Sequence, residues 1–207
     1  MSHIDDQERV EQIKAWWKKY GNFCLGGLVI AMLAISGWQY WSRHTQMLQE
    51  EASSLYQTML YQEYAEDITG ASKTANQLIG QYSDTMYANF AALYLAGNEA
   101  TSGQYDTAVA QLNWVIVHAS ENTMVTDLAR LRLARLNLAM QNPQAALNTL
   151  SQVSTDSAMK FEITGDAEVA LGQIAAAKQA YQQAMMALPP ESQEASMIQM
   201  KLYQLPA

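Results

Sequence analysis

The chain has 207 residues, with twelve Lys and Arg against twenty Asp and Glu and a formal net charge of −8. The whole excess falls after residue 42, where eight basic residues face sixteen acidic ones; nothing there is basic enough to follow a phosphate backbone or to lie on an anionic membrane surface, so the composition argues against nucleic-acid binding. The single cysteine, Cys24, leaves no intrachain disulfide framework and is silent about compartment.

Residues 1–19 read as a short cytoplasmic segment. Val10, Ile13, Trp16 and Trp17 interleave there with Lys14, Lys18 and Lys19, a pattern that fits a collar in the membrane interface or a docking helix. The 23 residues from Tyr20 to Ser42, YGNFCLGGLVIAMLAISGWQYWS, contain no Asp, Glu, Lys or Arg. As a helix they would extend about 34 Å, enough to cross a hydrocarbon core of about 30 Å, so residues 20–42 are expected to form one transmembrane helix. Arg9, Lys14, Lys18 and Lys19 precede the run and only Arg43 follows closely, which keeps the N-terminus in the cytoplasm and exports residues 43–207. Trp16 and Trp17 on one side, and Trp38, Tyr40 and Trp41 on the other, suit the two interfacial aromatic belts. Gly27, Ala31 and Ala34 share one small face on which a second membrane helix can approach closely, although Gly and Ala are common in any such helix. The alternative to an anchor is a cleaved signal peptide with Ala34-Ile35-Ser36 as its site. The long leader, its Asp5, Asp6, Glu8 and Glu11, and the length of the apolar run argue for the anchor.

No Gly or Pro interrupts Trp38 to Asp67, so the anchor helix is expected to continue outward, with Leu48, Ala52, Leu55, Tyr56 and Met59 at helical spacing. From there Ala, Leu, Gln and Met dominate and every segment reads as helix. Breakers fall at Thr69-Gly70, Ser83-Asp84, Ser102-Gly103, Ser120-Glu121-Asn122, Gln141-Asn142-Pro143, Ser154-Thr155-Asp156, Gly172 and Pro189-Pro190, and Asn142 with Pro143 is a helix start. Gly103-x-Tyr105-x-x-Ala108-x-x-x-Leu112 recurs as Gly172-x-Ile174-x-x-Ala177-x-x-x-Tyr181, and the later copy continues with Ala184 and Pro189. The copies lie 69 residues apart, close to twice the 34-residue tetratricopeptide period. A degenerate copy uses Gln141, Asn142, Ala145, Ala146 and Leu150, and an earlier one Ala75, Leu78, Ile79 and Tyr82. The expected fold is all-α: a single transmembrane helix, then a tetratricopeptide-like α-solenoid of helical hairpins over residues 43–207. A generic Ala-rich bundle with evenly spaced breakers is the plainer alternative.

No catalytic constellation is present in the sequence. His3, His44 and His118 are scattered, no Cys, His or carboxylate group has metal spacing, and no phosphate loop or nucleophile elbow occurs, so neither cofactor nor metal is expected. A helical-repeat scaffold points instead to binding. Arg130, Arg132 and Arg135 interleave with leucines; Arg132 and Arg135 are neighbours on a helix face and can clamp a partner's carboxylate, or the three can pair within the acidic domain. Twelve methionines, among them Met185, Met186, Met197 and Met200, suit either an adaptable apolar surface or core filling.

The acidic leader, the segment EQIKAWWKKYG, the anchor ending Gly37-Trp38-Gln39-Tyr40-Trp41, the run Leu131–Leu136 and Met197-Ile198-Gln199-Met200-Lys201 together resemble the YfgM family of ancillary SecYEG translocon subunits. The resemblance covers nearly the whole chain. It implies a single-pass protein of the bacterial inner membrane, N-terminus cytoplasmic, with a periplasmic tetratricopeptide-like domain. It also implies two partners, the SecYEG translocon and a membrane-anchored periplasmic chaperone of the peptidyl-prolyl isomerase type, with unfolded exported chains as candidate clients. It brings no catalytic residues to transfer. The expected function is a non-enzymatic adaptor that hands exported chains to periplasmic chaperones; the alternative is a scaffold subunit of another envelope machine, of the pilus or cell-division type.

Overall fold

A computed structural model describes residues 3–119 and 121–206, with side chains from Lys14 onward apart from positions 15, 21–25, 27 and 29. Among the described residues the chain is entirely helical: α1 (His3–Tyr64), α2 (Ile68–Gln81), α3 (Met86–Thr101), α4 (Tyr105–His118), α5 (Thr123–Ala139), α6 (Pro143–Leu150), α7 (Ala158–Ala170), α8 (Ile174–Met186) and α9 (Gln193–Tyr203). It divides into two compact units, Met1–Glu50 and Glu51–Ala207.

In the first unit the described part of the run from Tyr20 to Ser42 is helical, and Leu28, Ile30, Met32, Leu33 and Ile35 are exposed at 53–70 %. Among the described residues no helix is long and apolar enough to cross a membrane. Seven positions of the expected span, 21–25, 27 and 29, carry side chains outside the described ones, so the strongest part of the apolar run, Cys24 and Gly27 included, is not among them.

The second unit is built from hairpins that share one turn. At the end of α1, α3, α5 and α7 a residue takes the left-handed backbone: Glu66 (φ 60), Gly103 (φ 75), Gln141 (φ 60) and Gly172 (φ 75). Each turn closes with the same two bonds, from the left-handed residue's N–H three residues back and from the next N–H five residues back, such as Gly172 N to Val169 O (2.9 Å) and Gln173 N to Glu168 O (2.8 Å). This is the Schellman helix ending. Counting on from each turn, Ala71, Ala108, Ala146 and Ala177 are all 0 % exposed, and Leu78, Val115, Val153 and Ala184 are buried as well. The small residue lets the second helix of each hairpin approach the first, and in the first three hairpins the larger Leu78, Val115 and Val153 fill the space toward the next.

The four cores follow from that stacking. Ala52 and Met59 of α1 pack with α2 and α3, α4 is buried between α3 and α5, α6 between α5 and α7, and α8 between α7 and α9. The helices after the long connections start on side-chain caps: Thr85, Asn122, Ser157 and Ser192 accept from the backbone N–H three residues on at α3, α5, α7 and α9. The last of these, α9, packs on α8 and shares its core.

Three local expectations are corrected. Thr69-Gly70 is no break: it lies in the first turn of α2, where Gly70 N donates to Asp67 Oδ1 (2.9 Å), and the break is at residues 65–67. Asn142 stands at the N-cap of α6 but makes no side-chain cap bond, because the Schellman turn already fixes that end and Pro143 starts the helix. The 69-residue spacing is not two equal repeats: the left-handed residues are 37, 38 and 31 positions apart, since the connections between hairpins differ in length. In the degenerate copy the buried small residue is Ala146, with Ala145 only partly covered.

Candidate functional site

On α3 the small residues Ala96, Gly97 and Ala100, with Thr101, leave a hollow where larger side chains would have met α5. A Cβ built on Gly97 meets nothing within 4 Å. Tyr105 and Leu112 of α4 form the floor, and Arg132, Arg135, Leu136 and Ala139 of α5, at helical spacing on one face, form the opposite wall. The resulting cleft has a volume of about 590 Å³ and opens to solvent.

The arginine trio separates by environment. Arg130 turns to Asp127 of its own helix (Nη1 to Oδ1, 3.5 Å) and is not part of the cleft. Arg135 Nη2 reaches Glu162 Oε2 of α7 at 3.2 Å. Arg132 has no carboxylate partner among the described residues; its Nη1 donates to the carbonyl of Leu93 at 3.1 Å. Partial burial, then the neighbouring Arg135 charge, pull the Arg132 pKa down, yet a guanidinium stays cationic at neutral pH. The cleft therefore offers an apolar floor beneath a wall that carries an unneutralised cation.

Two polar clusters, one joining α7, α8 and α9 and one on α5, tie neighbouring repeats together, and sequence reasoning missed both. Lys201 Nζ of α9 contacts Glu162 Oε1 and both oxygens of Asp166, each at 2.8 Å, and Tyr181 OH of α8 donates to Asp166 Oδ1 at 2.7 Å. Burial alone would lower the Lys201 pKa, but the two carboxylates more than offset it and raise it. The Tyr181 pKa is raised, first by burial and then by Asp166 and Glu162. Gly165 admits the Tyr181 ring, since a Cβ there would run into it, and the sequence singled out Tyr181 and Lys201 without linking them. The second cluster is Asp127, 4 % exposed, which accepts from the backbone N–H groups of Ser154 (3.2 Å) and Thr155 (2.9 Å) and ties the α6–α7 connection to α5.

The remaining sequence candidates fall as follows. Met185 packs on the α8–α9 core and Met186 is 79 % exposed; both line a second cleft of about 490 Å³ with Gln182, Gln199, Leu202 and Tyr203. Met197 and Met200 are exposed on α9, so the methionines serve both surface and core. Trp16, Trp17, Trp38, Tyr40 and Trp41 are exposed on α1, as are Ala31 and Ala34, while Gly27 lies outside the described side chains. Among the described residues no group of three or more His, Cys, Asp and Glu side chains is placed to hold a metal ion.

Stacked two-helix repeats with a shared turn and a buried alanine at a fixed offset define a tetratricopeptide-like repeat protein. A family model described as a tetratricopeptide repeat-like domain matches residues 14–207. A Haemophilus influenzae protein named Ancillary SecYEG translocon subunit is 30 % identical over 98 % of this chain and 98 % of its own length. Proteins of the same name from Aggregatibacter actinomycetemcomitans (28 % identical, 87 % of this chain and 89 % of the relative) and Neisseria gonorrhoeae (27 %, 97 % of both) match as well. The chain belongs to the YfgM family of tetratricopeptide-like proteins.

Proposed function

We propose that this chain is a non-enzymatic adaptor of the Sec translocon, anchored in the inner membrane by residues 20–42, that presents the cleft between α3 and α5 to exported chains and passes them to a membrane-anchored periplasmic chaperone of the peptidyl-prolyl isomerase type. The observation that carries the reading is the near full-length match to relatives that share the name Ancillary SecYEG translocon subunit. The exposed apolar side chains of α1 between Leu28 and Ile35 support the anchor, since a helix surface of that kind is at home in lipid. The flanking charges support a cytoplasmic N-terminus and a periplasmic repeat domain. Gly27, Ala31 and Ala34 form the face on which a translocon helix packs. Tethering near the exit raises the effective concentration of weak contacts, so modest affinity in the cleft suffices.

The test is isolation of the full-length protein from membranes in mild detergent, beside a variant with Gly27, Ala31 and Ala34 replaced by Leu, with the co-isolating proteins identified. Translocon subunits and a periplasmic chaperone accompany the parent protein, and the triple variant loses the translocon. Recovery of a different envelope machine would replace this reading by the scaffold one, and release of the protein from membranes by alkaline carbonate would remove the anchor.

A further inference from the structure

Arg132 stands out in a domain where acidic residues outnumber basic ones. Arg130 and Arg135 are each matched by a carboxylate, whereas the Arg132 guanidinium has one backbone acceptor, Leu93 O, and its other N–H groups have no protein acceptor among the described residues. A guanidinium carries five donors, so most of its capacity faces outward. It faces the cleft, whose floor is apolar and whose volume of about 590 Å³ lies in the range of ligand sites rather than of packing defects. An apolar floor with one unsatisfied cation at its wall is complementary to an apolar group that has an anion beside it.

We propose that the cleft recognises an extended polypeptide segment in which an aliphatic or aromatic side chain lies next to an Asp or Glu. The apolar group fills the space over Gly97 and the carboxylate closes on Arg132, with Arg135 as its second donor. This rests on the reading of the cleft as a binding surface for exported chains. A side-chain carboxylate is the source rather than a chain end, because a chain emerging from a translocon reaches the cleft as internal segments long before its C-terminus is released. The surrounding acidity repels acidic segments at long range, so the selection is made by the short-range, charge-assisted contact at Arg132.

The experiment uses the full-length protein in detergent and fluorescently labelled peptides read by anisotropy: one with a Leu-Glu pair at its centre, one with that Glu replaced by Gln, and one whose sole carboxylate is its C-terminus. The Glu peptide binds about tenfold more tightly than the Gln peptide, as expected for a hydrogen bond to a charged group. Arg132→Gln abolishes the difference and Arg132→Lys keeps part of it. Gly97→Leu fills the hollow and weakens both peptides while leaving the melting temperature at or above the parent value, since the site has open space and Leu is the better helix former. Equal affinity for the Glu and Gln peptides, or a preference that survives Arg132→Gln, would overturn the inference while Gly97→Leu still marks the cleft as a binding surface. Preference for the peptide with only a terminal carboxylate would overturn it in favour of chain-end capture. Failure of every peptide to bind, or binding indifferent to Gly97→Leu, would overturn both the inference and the reading on which it rests.

Discussion

Asp127 is the residue on which the geometry between α5 and α7 turns. Its carboxylate is buried and accepts two backbone bonds from the α6–α7 connection, Ser154 N at 3.2 Å and Thr155 N at 2.9 Å, with Arg130 Nη1 at 3.5 Å. Asp127→Asn keeps the size but turns one acceptor into an NH₂ that faces an N–H, leaves that donor unsatisfied, and takes the counter-charge from Arg130. Hydrogen bonds to a charged group contribute about 1.5–3 kcal/mol and an orphaned buried donor costs a similar amount, so with partial rearrangement the loss should be about 2–3 kcal/mol. For a chain of this size that lowers Tm by about 5–10 °C, readable from helical circular dichroism at neutral pH. The pH dependence follows the same cause. Burial pushes the Asp127 carboxyl up, but the Ser154 and Thr155 N–H groups and Arg130 outweigh it and hold it below its ordinary value. Its contribution is therefore complete above the unfolded value of about 3.9 and is lost as pH falls through the lower folded one, and Asp127→Asn should flatten that acid limb. A Tm shift under about 2 °C, or an unchanged acid limb, would refute the reasoning.

Gln141→Gly should raise the urea midpoint by an amount worth about 1 kcal/mol, since Gln141 holds φ 60 in a turn where its counterparts Gly103 and Gly172 bear no such strain; a lower midpoint would contradict it. Gly165→Ala drives a Cβ into the ring of Tyr181, whose hydroxyl is held by Asp166, and should cost about 1–3 kcal/mol in chemical denaturation. Lys201→Met should loosen α9 and cost about 1–2 kcal/mol. Because Lys201 and Tyr181 both have raised pKa values, their contributions are complete below about pH 10 and fade as pH rises through the folded values; an alkaline limb in the parent protein that becomes shallower in Lys201→Met, with the Tyr181 share remaining, is the expected readout.

Half of the repeat was legible because half of it uses glycine. At Gly103 and Gly172 the turn requires a left-handed residue and the residue type announces it. At Glu66 and Gln141 the same turn is made by residues that carry no such signal, so the sequence places the first hairpin four residues late, at Ala75 instead of Ala71, with Gly70 as the break instead of Glu66. The buried alanines were readable from their offset to the glycine, whereas the Arg135–Glu162–Lys201 chain was not, since it joins residues 27 and 39 positions apart that only the stacking brings together. The arginine trio illustrates the limit from the other side. Spacing put Arg132 and Arg135 on one face, but only the placement of Asp127 and Glu162 separates a paired arginine from an unpaired one. The cleft escaped notice because Ala96, Gly97 and Ala100 resemble any small-residue stretch of a helix, and whether small residues admit a neighbour or leave a hollow is decided by the helix opposite.

The central claim, that exported chains pass through the cleft between α3 and α5, is met most directly by a photo-crosslinking amino acid placed at Thr101 in the cleft and, as a control, at the exposed Lys178 of α8, in cells that hold a secretory chain stalled in the translocon. The account predicts crosslinks to the stalled chain from Thr101, absent from Lys178 and abolished by Gly97→Leu. Crosslinks of equal strength from both positions, or none from Thr101 while the protein still co-isolates with the translocon, would contradict it.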